Sequence, residues 1–329
     1  MPCRKECEVN VKNVAILGLG NIAKRVAKGV LCSQNACLYA VASRNLDKAM
    51  QFAKEYGATT YYGNYLEMLN DANVDLVYIC TPNSLHYEQI KMCLEHGKHV
   101  ICEKPMVQTE VQIQELFTYA KSHNLFLMEA EKTMFTPLNQ KIKTMIDEGI
   151  IGKLHTIKAQ YCCDILEDVD ANHWVLNDNM SGCSYDIGVY PISLAHYYAA
   201  SPIKNFEVDA IRHQHFQCDF GMDANVFYSN GIYASLVCNW FYHIKDKGSA
   251  LLIGDQGYIE IPAYWKGTKA FLHQNDTISC IEVSMESDFE GEITHAIECI
   301  ENGLSESPIL NEQMSIDIIR IVAAVQKNI

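Results

Sequence analysis

Residues 13–30, "NVAILGLGNIAKRVAKGV", begin with a short apolar run that predicts a buried strand ending in a glycine turn at Gly18. Beyond the turn, apolar side chains recur every four residues, at Ile22, Val26 and Val30. That spacing places them on one face of a helix. The chain therefore starts with a predicted strand, a tight turn and a helix in direct succession.

The turn carries the glycine pattern of a phosphate-binding loop. Gly18, Gly20 and Ala23 fit the pattern G-x-G-x-x-A. In such a loop the first glycine permits the tight turn, the second lets the backbone approach a pyrophosphate, and the alanine allows close packing of helix on strand. Asn21 and Ile22 open the helix, whose N-terminal amides attract anionic groups. We therefore expect a dinucleotide cofactor at this loop.

The end of the second predicted strand, "YAVASRNLD" (39–47), bears on which dinucleotide binds. NAD-binding folds usually carry an acidic residue there, which binds the ribose 2′-hydroxyl. This chain has Ala42 and Ser43, followed by Arg44. A hydroxyl beside a guanidinium suits a 2′-phosphate, because arginine binds phosphate through two parallel donors. NADP is therefore favoured, with NAD as the alternative if Arg44 is only a solvated residue.

Up to residue 128 the chain repeats the same alternation of short apolar runs and amphipathic stretches. One stretch has Asn45 as its expected N-cap and Gly57 just beyond its end. Such alternation indicates an α/β Rossmann fold, a doubly wound parallel sheet with helices on both faces. We expect residues 1–128 to form this dinucleotide-binding domain.

The pattern of apolar and polar residues changes after residue 128. From Lys153 the apolar runs become longer, and Asn230-Gly231 predicts a hairpin turn between two of them. Helical patterns return at the end of the chain. Residues 129–329 are therefore expected to form an α+β domain with a large, mostly antiparallel open sheet, which binds the substrate and mediates oligomerisation.

Composition excludes several classes of partner. Apolar residues make up 49% of the chain, and 26 Lys and Arg against 40 Asp and Glu give a net charge of −14. A surface this acidic repels phosphate backbones and anionic lipids, so neither nucleic acid nor membrane is an expected partner. No apolar run approaches a membrane span, and the start of the chain lacks the apolar core of a signal peptide. We expect a cytoplasmic protein.

Fourteen cysteines suggest at first a disulfide scaffold, but their pattern does not. No Cys-x-x-Cys pair occurs, and Cys80, Cys102 and Cys238 lie within apolar runs, so they are expected to fill the core of a reduced protein. The vicinal pair Cys162-Cys163 and the near-terminal Cys3 and Cys7 are the exceptions. The twelve histidines are scattered without an H-E-x-x-H motif, so no metal site is predicted.

Two longer segments carry a family resemblance. "CTPNSLHYEQIKMCLEHGKHVICEKPM" (80–106) and "GCSYDIGVYPI" (182–192) resemble the signatures of the glucose–fructose oxidoreductase, inositol dehydrogenase and MocA (Gfo/Idh/MocA) family. The resemblance covers nearly the whole chain. It implies a two-domain enzyme that moves hydride between a nicotinamide cofactor and a sugar or polyol carbon, and a homodimer or homotetramer formed through the sheet of the second domain.

The resemblance also assigns roles to residues. Lys104 matches the active-site lysine of the family, and Asp186 and Tyr190 match the first and last members of its D-x-x-x-H/Y element. Tyrosine at the last position is similar to the dihydrodiol dehydrogenase and xylose dehydrogenase branch, which largely uses NADP. The resemblance further implies that the Lys104–Pro105 bond is cis. It places six residues beside the cofactor: Thr81, Pro82, Asn83, His86, Glu103 and Lys104.

These residue types suit alcohol oxidation. Tyrosine has a pKa near 10, so it needs a nearby ammonium to lower that value before it can act as a base at neutral pH. Lys104 is expected to supply this charge and to hydrogen-bond the substrate oxygen. Asp186 and Tyr190 lie four residues apart, which puts them on one face if the segment is helical. Asp186 could then orient the substrate or Lys104.

Two departures from the family pattern concern the substrate. The stretch before Asp186 has one glycine, Gly182, where relatives often have two or three. Where the dihydrodiol dehydrogenase branch tends to carry tryptophan, "EAEKTMF" (129–135) has Lys132 nearby, so an aromatic wall is expected to be missing and a polar sugar becomes more plausible. His173 and Trp174 could line the pocket or simply pack.

The sequence therefore predicts an NADP-dependent oxidoreductase that acts on a secondary alcohol or carbonyl of a sugar, polyol or related small compound. Tyr190 is its expected acid/base, assisted by Lys104. A non-catalytic NADP(H)-binding redox sensor that works through a protein partner is the alternative. Borrowing and return of hydride during an elimination or sugar transfer is a third possibility.

Overall fold

A computed structural model describes residues 11–328 of the chain. Cys3 and Cys7 lie outside the described residues. The described part forms one parallel and one mostly antiparallel sheet, as the sequence predicts.

The first sheet has six parallel strands in the order β3-β2-β1-β4-β5-β6. This is the strand order of the doubly wound dinucleotide-binding fold, whose order reverses between β1 and β4. The strands in the middle of the sheet are buried on both faces, which explains their continuous apolar runs. The strands are β1 (Lys12–Leu17), β2 (Ala36–Ala42), β3 (Thr60–Tyr62), β4 (Leu76–Ile79), β5 (His99–Glu103) and β6 (Leu127–Ala130).

Helices connect these strands and begin and end where local signals place them. The Asn45 side chain caps its helix by accepting a hydrogen bond from the Lys48 amide, and Gly57 ends that helix in the left-handed conformation, at φ 75°. Both predictions are confirmed. The helices are α1 (Asn21–Cys32), α2 (Leu46–Tyr56), α3 (Tyr65–Leu69), α4 (His86–Glu95) and α5 (Glu110–Ser122).

The predicted domain division between residues 128 and 129 falls inside β6. This strand continues to Ala130, since Cys102 and Glu103 of β5 pair with Glu129 and Ala130. The division over 1–128 and 129–329 remains a prediction.

The second sheet has eight strands in the order β14-β13-β12-β11-β7-β10-β9-β8. Only the pair β7 and β10 is parallel. Asn230 and Gly231 form the predicted turn between β9 and β10, with Gly231 at φ 89°. The strands are β7 (Leu154–Cys162), β8 (Ile203–Arg212), β9 (Asp219–Tyr228), β10 (Tyr233–Asn239), β11 (Ser249–Gly254), β12 (Tyr258–Pro262), β13 (Lys269–Gln274) and β14 (Thr277–Glu282).

The helices that follow α5 are α6 (Pro137–Asp147), α7 (Ile165–Asp168), α8 (Trp174–Asn177), α9 (Val189–Ala199), α10 (Glu290–Glu301) and α11 (Glu312–Lys327). Among them, α9 and α11 pack on the second sheet, and α10 and α11 contact helices of the first half of the chain. Helix α9 packs on β7, α10 packs on α1, and α11 packs on both α5 and β8. Helix α11 therefore contacts both halves of the chain.

The predicted core-filling role is confirmed for Cys80, Cys102 and Cys238, which are all buried as free thiols. Cys162 and Cys163 are buried too. Within residues 11–328, no helix combines the length and apolar character that crossing a bilayer requires.

Candidate active site

A cleft of about 750 Å³ lies at the carboxyl ends of the first sheet's strands, where the strand order reverses. Ligands bind at this position in open α/β sheets. Eight of the predicted cofactor-binding residues line it: Gly18, Gly20, Asn21, Ile22, Ser43, Arg44, Thr81 and Pro82. His173 and Trp174, whose role the sequence left open, line it from the second half of the chain.

The floor of the cleft is the glycine turn. Gly18 has φ +89°, and a Cβ there would lie 2.6 Å from Cγ2 of Thr81, so only glycine fits. Gly20 is the N-cap of α1, and no side chain caps that helix. The first amides of α1 therefore face the cleft without a side-chain partner and can bind an anion.

At one end of the cleft, basic and hydroxyl groups stand at the start of α2. The Ser43 hydroxyl accepts a hydrogen bond from the Asn45 amide at 3.2 Å, which fixes the turn after β2. Arg44, Lys48 and Tyr65 complete this end. Lys48 was not predicted from the sequence, although its place one turn into α2 puts it beside Arg44. Two cations at one end of the cleft suit a phosphate monoester.

Three predicted cofactor-binding residues lie behind the lining. Asn83 is buried and donates a hydrogen bond to the Met180 carbonyl at 3.3 Å. The His86 ring is fully buried between two backbone carbonyls, with Nε2 at 2.9 Å from the Thr81 oxygen and Nδ1 at 3.1 Å from the Pro105 oxygen. It therefore joins the cleft wall to the turn that follows Lys104.

Glu103, the third of these residues, faces into the protein interior. The Tyr78 hydroxyl lies 3.0 Å from Oε1 of Glu103 and 2.6 Å from Oε1 of Glu292. Burial raises the pKa of Glu103 to about 7, and it raises the pKa of Glu292 well above its usual range. One phenol proton cannot satisfy two carboxylates, so this cluster holds at least one protonated carboxyl near neutral pH.

Lys104, Asp186 and Tyr190 meet beside the cleft. The Lys104 ammonium donates to the backbone carbonyl of Asp186 and lies 3.4 Å from Oδ1 of the same residue. It also lies 4.9 Å from the ring centre of Tyr190, within cation–π range. The Lys104–Pro105 bond is cis, as predicted. Lys104 therefore lies between the other two predicted catalytic residues and contacts each of them.

The active segment is helical, but it is not one continuous α-helix. Residues Ser184–Gly188 form a π-helical turn, and α9 follows from Val189. Such turns are rare, and they occur frequently at functional sites. The turn brings both the carbonyl and the carboxylate of Asp186 to Lys104, which an ideal α-helical register does not predict.

The expected lowering of the Tyr190 pKa is not found. Burial raises the pKa of Tyr190 well above its usual value, and the neighbouring Tyr161 and Glu131 raise it further. Lys104 lies over the face of the ring, where its charge does not offset the loss of water. Tyr190 is therefore a protonated phenol at neutral pH, which suits a proton donor.

A buried ion pair lies behind Tyr190. Lys132, only 3% exposed, donates to Oδ2 of Asp288 at 2.6 Å and to the Trp265 carbonyl at 2.7 Å. Its ammonium stands 5.9 Å from the ring centre of Tyr190. Arg25 of α1 binds the same oxygen of Asp288.

Aromatic rings border this pair. Tyr161 stacks on Trp265, with ring centres 3.9 Å apart, and lies 5.6 Å from the Tyr190 ring. The guanidinium of Arg25 lies 4.8 Å from the ring centre of Phe289. The wall beside Tyr190 therefore combines flat aromatic surface with a fixed charge pair.

Comparison with protein families identifies both halves of the chain. Residues 12–131 match the GFO_IDH_MocA family, described as an oxidoreductase family with an NAD-binding Rossmann fold. Residues 139–260 match the GFO/IDH/MocA C-terminal domain. The chain belongs to the Gfo/Idh/MocA oxidoreductase family. The predicted resemblance is confirmed, and the protein is an oxidoreductase.

Relatives of this family match over most of their length. Trans-1,2-dihydrobenzene-1,2-diol dehydrogenase from Xenopus tropicalis is 27% identical over 298 residues, 87% of this chain and 88% of that protein. The same enzyme from Mus musculus is 28% identical over 283 residues, 82% of each chain. These are the dehydrogenases of the predicted branch.

Solved structures share the fold. A 3-ketoreductase from Actinomadura kijaniata, in complex with NADP and TDP-benzene, is 24% identical with a TM-score of 0.84, over 97% of this chain and 98% of that chain. An aldose-aldose oxidoreductase from Caulobacter crescentus, complexed with glycerol, is 23% identical with a TM-score of 0.86, over 97% of each chain. These likenesses show that the chain shares their fold.

The sequence did not indicate Asp288 or Arg25 as site residues. It indicated Lys132 only as a sign that an aromatic wall of the pocket is missing. The family signatures do not include these residues, and 156 positions separate Lys132 from Asp288. A charged residue inside the run "EAEKTMF" (129–135) was the available signal, because a lysine is seldom buried without a partner.

Proposed function

We propose that this protein is an NADP-dependent oxidoreductase that interconverts a secondary alcohol and a carbonyl on a sugar, polyol or related small hydroxy compound. The contact of Lys104, Asp186 and Tyr190 beside the nucleotide cleft carries this proposal. A phenol and an ammonium at the same point are the groups that a carbonyl oxygen requires as it gains a proton.

The residues of the cleft fit NADP. The uncapped amides of α1 suit the pyrophosphate, and Ser43, Arg44 and Lys48 suit a 2′-phosphate. The ketoreductase of the same fold binds NADP, which agrees with this choice. The local cations also explain how a chain of net charge −14 binds an anionic dinucleotide. When bound, the cofactor supplies or accepts the hydride.

The residues of the site divide the proton chemistry between them. In reduction, the Tyr190 hydroxyl holds the proton that the substrate oxygen receives, because burial keeps this phenol protonated. The Lys104 ammonium donates a hydrogen bond to the same oxygen and stabilises the charge that develops there. Asp186 orients the ammonium through its carbonyl and carboxylate. In the opposite direction the phenol first loses its proton to solvent, and the phenolate then receives the proton of the substrate hydroxyl.

The ion pair Lys132–Asp288 favours a polar substrate. Lys132 takes the place where the dihydrodiol dehydrogenase branch tends to have tryptophan, and the pair sets a fixed, buried charge behind Tyr190. The partly exposed ring of Tyr161, which stacks on the buried Trp265, gives a flat surface for the carbon face of a sugar. An arene dihydrodiol is a poorer fit to a charged wall.

Assembly and location belong to the same proposal. On the face of the second sheet opposite α9, partly exposed Val237, Leu251 and Phe271 alternate with buried positions. The same face carries Lys158, Gln160 and Glu260, which pair with these residues, and a face of such mixed character suits a homodimer or homotetramer. Reduced buried cysteines and an acidic surface suit the cytoplasm. Residues 1–128 and 129–329 are the proposed functional halves.

The proposal is tested by titrating the protein with NADPH and NADP and then screening sugars, polyols and 1,2-dicarbonyl compounds at the nicotinamide absorbance. We expect tight NADPH binding and turnover with at least one polar substrate. Tight binding without turnover would favour the redox sensor. Retained cofactor with product formed and no net NADPH production would favour borrowed hydride.

A further inference from the structure

A buried carboxylate lies directly behind the segment that carries Asp186. Asp219, the first residue of β9, is completely shielded from solvent. Its Oδ2 accepts a hydrogen bond from the Ser184 amide at 2.7 Å, and its Oδ1 accepts one from the Ser184 hydroxyl at 3.0 Å. Ser184 opens the π-helical turn, two positions before Asp186. The carboxylate therefore holds this turn at its first residue.

The last helix of the chain completes the contact. Gln326 of α11 donates its amide to Oδ1 of Asp219 at 2.6 Å and to the Ser184 hydroxyl at 2.9 Å. Across residues 11–328, no lysine, arginine or histidine forms an ion pair with Asp219. Only hydrogen bonds stabilise this buried charge, and such charge-assisted bonds are among the stronger ones in proteins.

Gly182 makes room for the carboxylate. This residue has φ +121°, and a Cβ built on it would collide with Oδ1 of Asp219. A side chain at this position is therefore excluded twice, by backbone conformation and by space. The glycine before the active segment is explained by its contact with Asp219.

We propose that Asp219 is a positioning residue. It holds the turn Ser184–Gly188 so that the backbone carbonyl and Oδ1 of Asp186 both reach the Lys104 ammonium. The inference rests on the proposed function, in which Lys104 and Tyr190 act on the substrate. Asp219 itself contacts Ser184 and Gln326, so its effect on the reaction is transmitted by the turn. The C-terminal helix is tied to the active site by the same contact.

The titration of Asp219 has a defined direction. Burial raises its pKa to about 6. The other titratable groups around the carboxylate are Cys218, which directly precedes β9, and Cys183 and Tyr185 on the facing segment. Their pKa values are all raised, so they stay neutral below pH 8. As the pH falls through about 6, the protonated oxygen stops accepting a hydrogen bond and the turn loses part of its support.

The first variant is Asp219→Asn, which has one acceptor where the structure uses two. We expect kcat to fall on the order of 10- to 100-fold, because small misplacements of catalytic groups have effects of this size. The dissociation constant for NADPH should stay within about twofold, since the cleft is untouched. The ratio of wild-type to variant kcat should shrink as the pH falls through about 6.

Gly182→Ala and Gly149→Ala form a matched pair of glycine variants. Both glycines have positive φ, but a Cβ at Gly149 meets nothing within 4 Å. Both variants carry backbone strain, whereas only Gly182→Ala displaces Asp219. Of the two glycine variants, we expect only Gly182→Ala to lose kcat. In Ser184→Ala the backbone amide still donates to Asp219, so kcat should fall only a few-fold.

Hydrogen exchange over residues 182–190 gives a readout that does not depend on turnover. We expect Asp219→Asn to speed exchange of this segment at least about tenfold, with little change in β1. Unchanged kcat and unchanged exchange would overturn the positioning role while leaving the proposed function intact. Absence of turnover in the wild type would overturn the proposed function, and the exchange data would still decide the role of Asp219. If Asp219→Asn fails to fold, the glycine pair and Ser184→Ala decide it.

Discussion

The ammonium of Lys104 stands over the face of the Tyr190 ring, 4.9 Å from its centre, and is held there by Asp186. Lys104 and Tyr190 are 86 positions apart in the chain, and α9 brings Tyr190 to the end of β5. A cation at this distance attracts the aromatic ring, and an ammonium has three donors, so the contacts with Asp186 leave one for a substrate oxygen.

The paired variants Lys104→Met and Tyr190→Phe test the catalytic assignment. Each removes one of the two donors to the substrate oxygen, so we expect kcat to fall by at least about 10²-fold, the lower range for loss of acid–base catalysis. NADPH affinity, measured by fluorescence titration, should change little. Tyr197→Phe, on the same helix, is the control and should keep full activity. Activity retained in both Lys104→Met and Tyr190→Phe would contradict the assignment.

The variants Arg44→Asp and Lys48→Ala test the cofactor choice. Both remove positive charge at the end of the cleft, and Arg44→Asp also adds an acceptor for a ribose hydroxyl. We expect NADPH affinity to fall at least about tenfold in each, and Arg44→Asp to shift the preference toward NADH.

Lys54→Ala serves as the control for this pair, because Lys54 lies on the same helix outside the lining of the cleft. It should bind NADPH as the wild type does. Equal loss in Lys54→Ala would mean that general surface charge, and not the 2′-phosphate, is responsible.

The pair Lys132 and Asp288 gives a prediction on stability and substrate range. Asp288→Asn leaves a buried ammonium without its anion, so the free energy of unfolding should fall by on the order of 3 kcal/mol. Lys132→Met should cost less, because Asp288 keeps Arg25. Lys132→Met should also lower kcat/KM for a polar substrate about tenfold and leave NADPH binding intact. Denaturant unfolding and steady-state kinetics measure the two effects, and an equal stability loss in both variants would contradict the buried-pair argument.

Glu103 gives a prediction on pH and stability. Its pKa is raised from 4.5 to about 7 in the folded protein, so between these values only the unfolded chain gives up the proton. The stability contributed by the protonated carboxyl is full below about pH 4.5 and is lost as the pH rises to about 7. The difference corresponds to about 3 kcal/mol.

Glu103→Gln isolates this effect, since it keeps an acceptor for the Tyr78 hydroxyl and cannot ionise. From pH 4.5 to 7 the wild type should lose free energy of unfolding relative to the variant, and above pH 7 the difference between the two should stay constant. A gap that does not change with pH would show that Glu103 titrates normally.

The nucleotide half was largely predictable because its signals are local. The turn at Gly18 and the cap at Asn45 each depend on residues within a few positions, and strands buried on both faces show continuous apolar runs. The cleft lining followed from the phosphate loop and the end of β2. Lys48 was missed because its role depends on which side of α2 faces the cleft.

The catalytic half was predictable only in part. The family signatures named Lys104 and Tyr190, but the raised pKa of Tyr190 and the π-helical turn depend on what surrounds them. Asp219 and Asp288 carry no motif, and their partners lie on other elements far along the chain. Burial and close approach of distant charges arise only on packing.

The order of strands and helices, the phosphate loop and the reduced, acidic character of the chain were determined by the sequence itself, because spacing and composition act over short distances. The charge state of Glu103 and Tyr190, the ion pair beside the substrate wall and the anchoring of the active turn by Asp219 were decided by the tertiary structure. Their energies depend on removal of water and on contacts between residues that only the folded chain brings within a few ångströms.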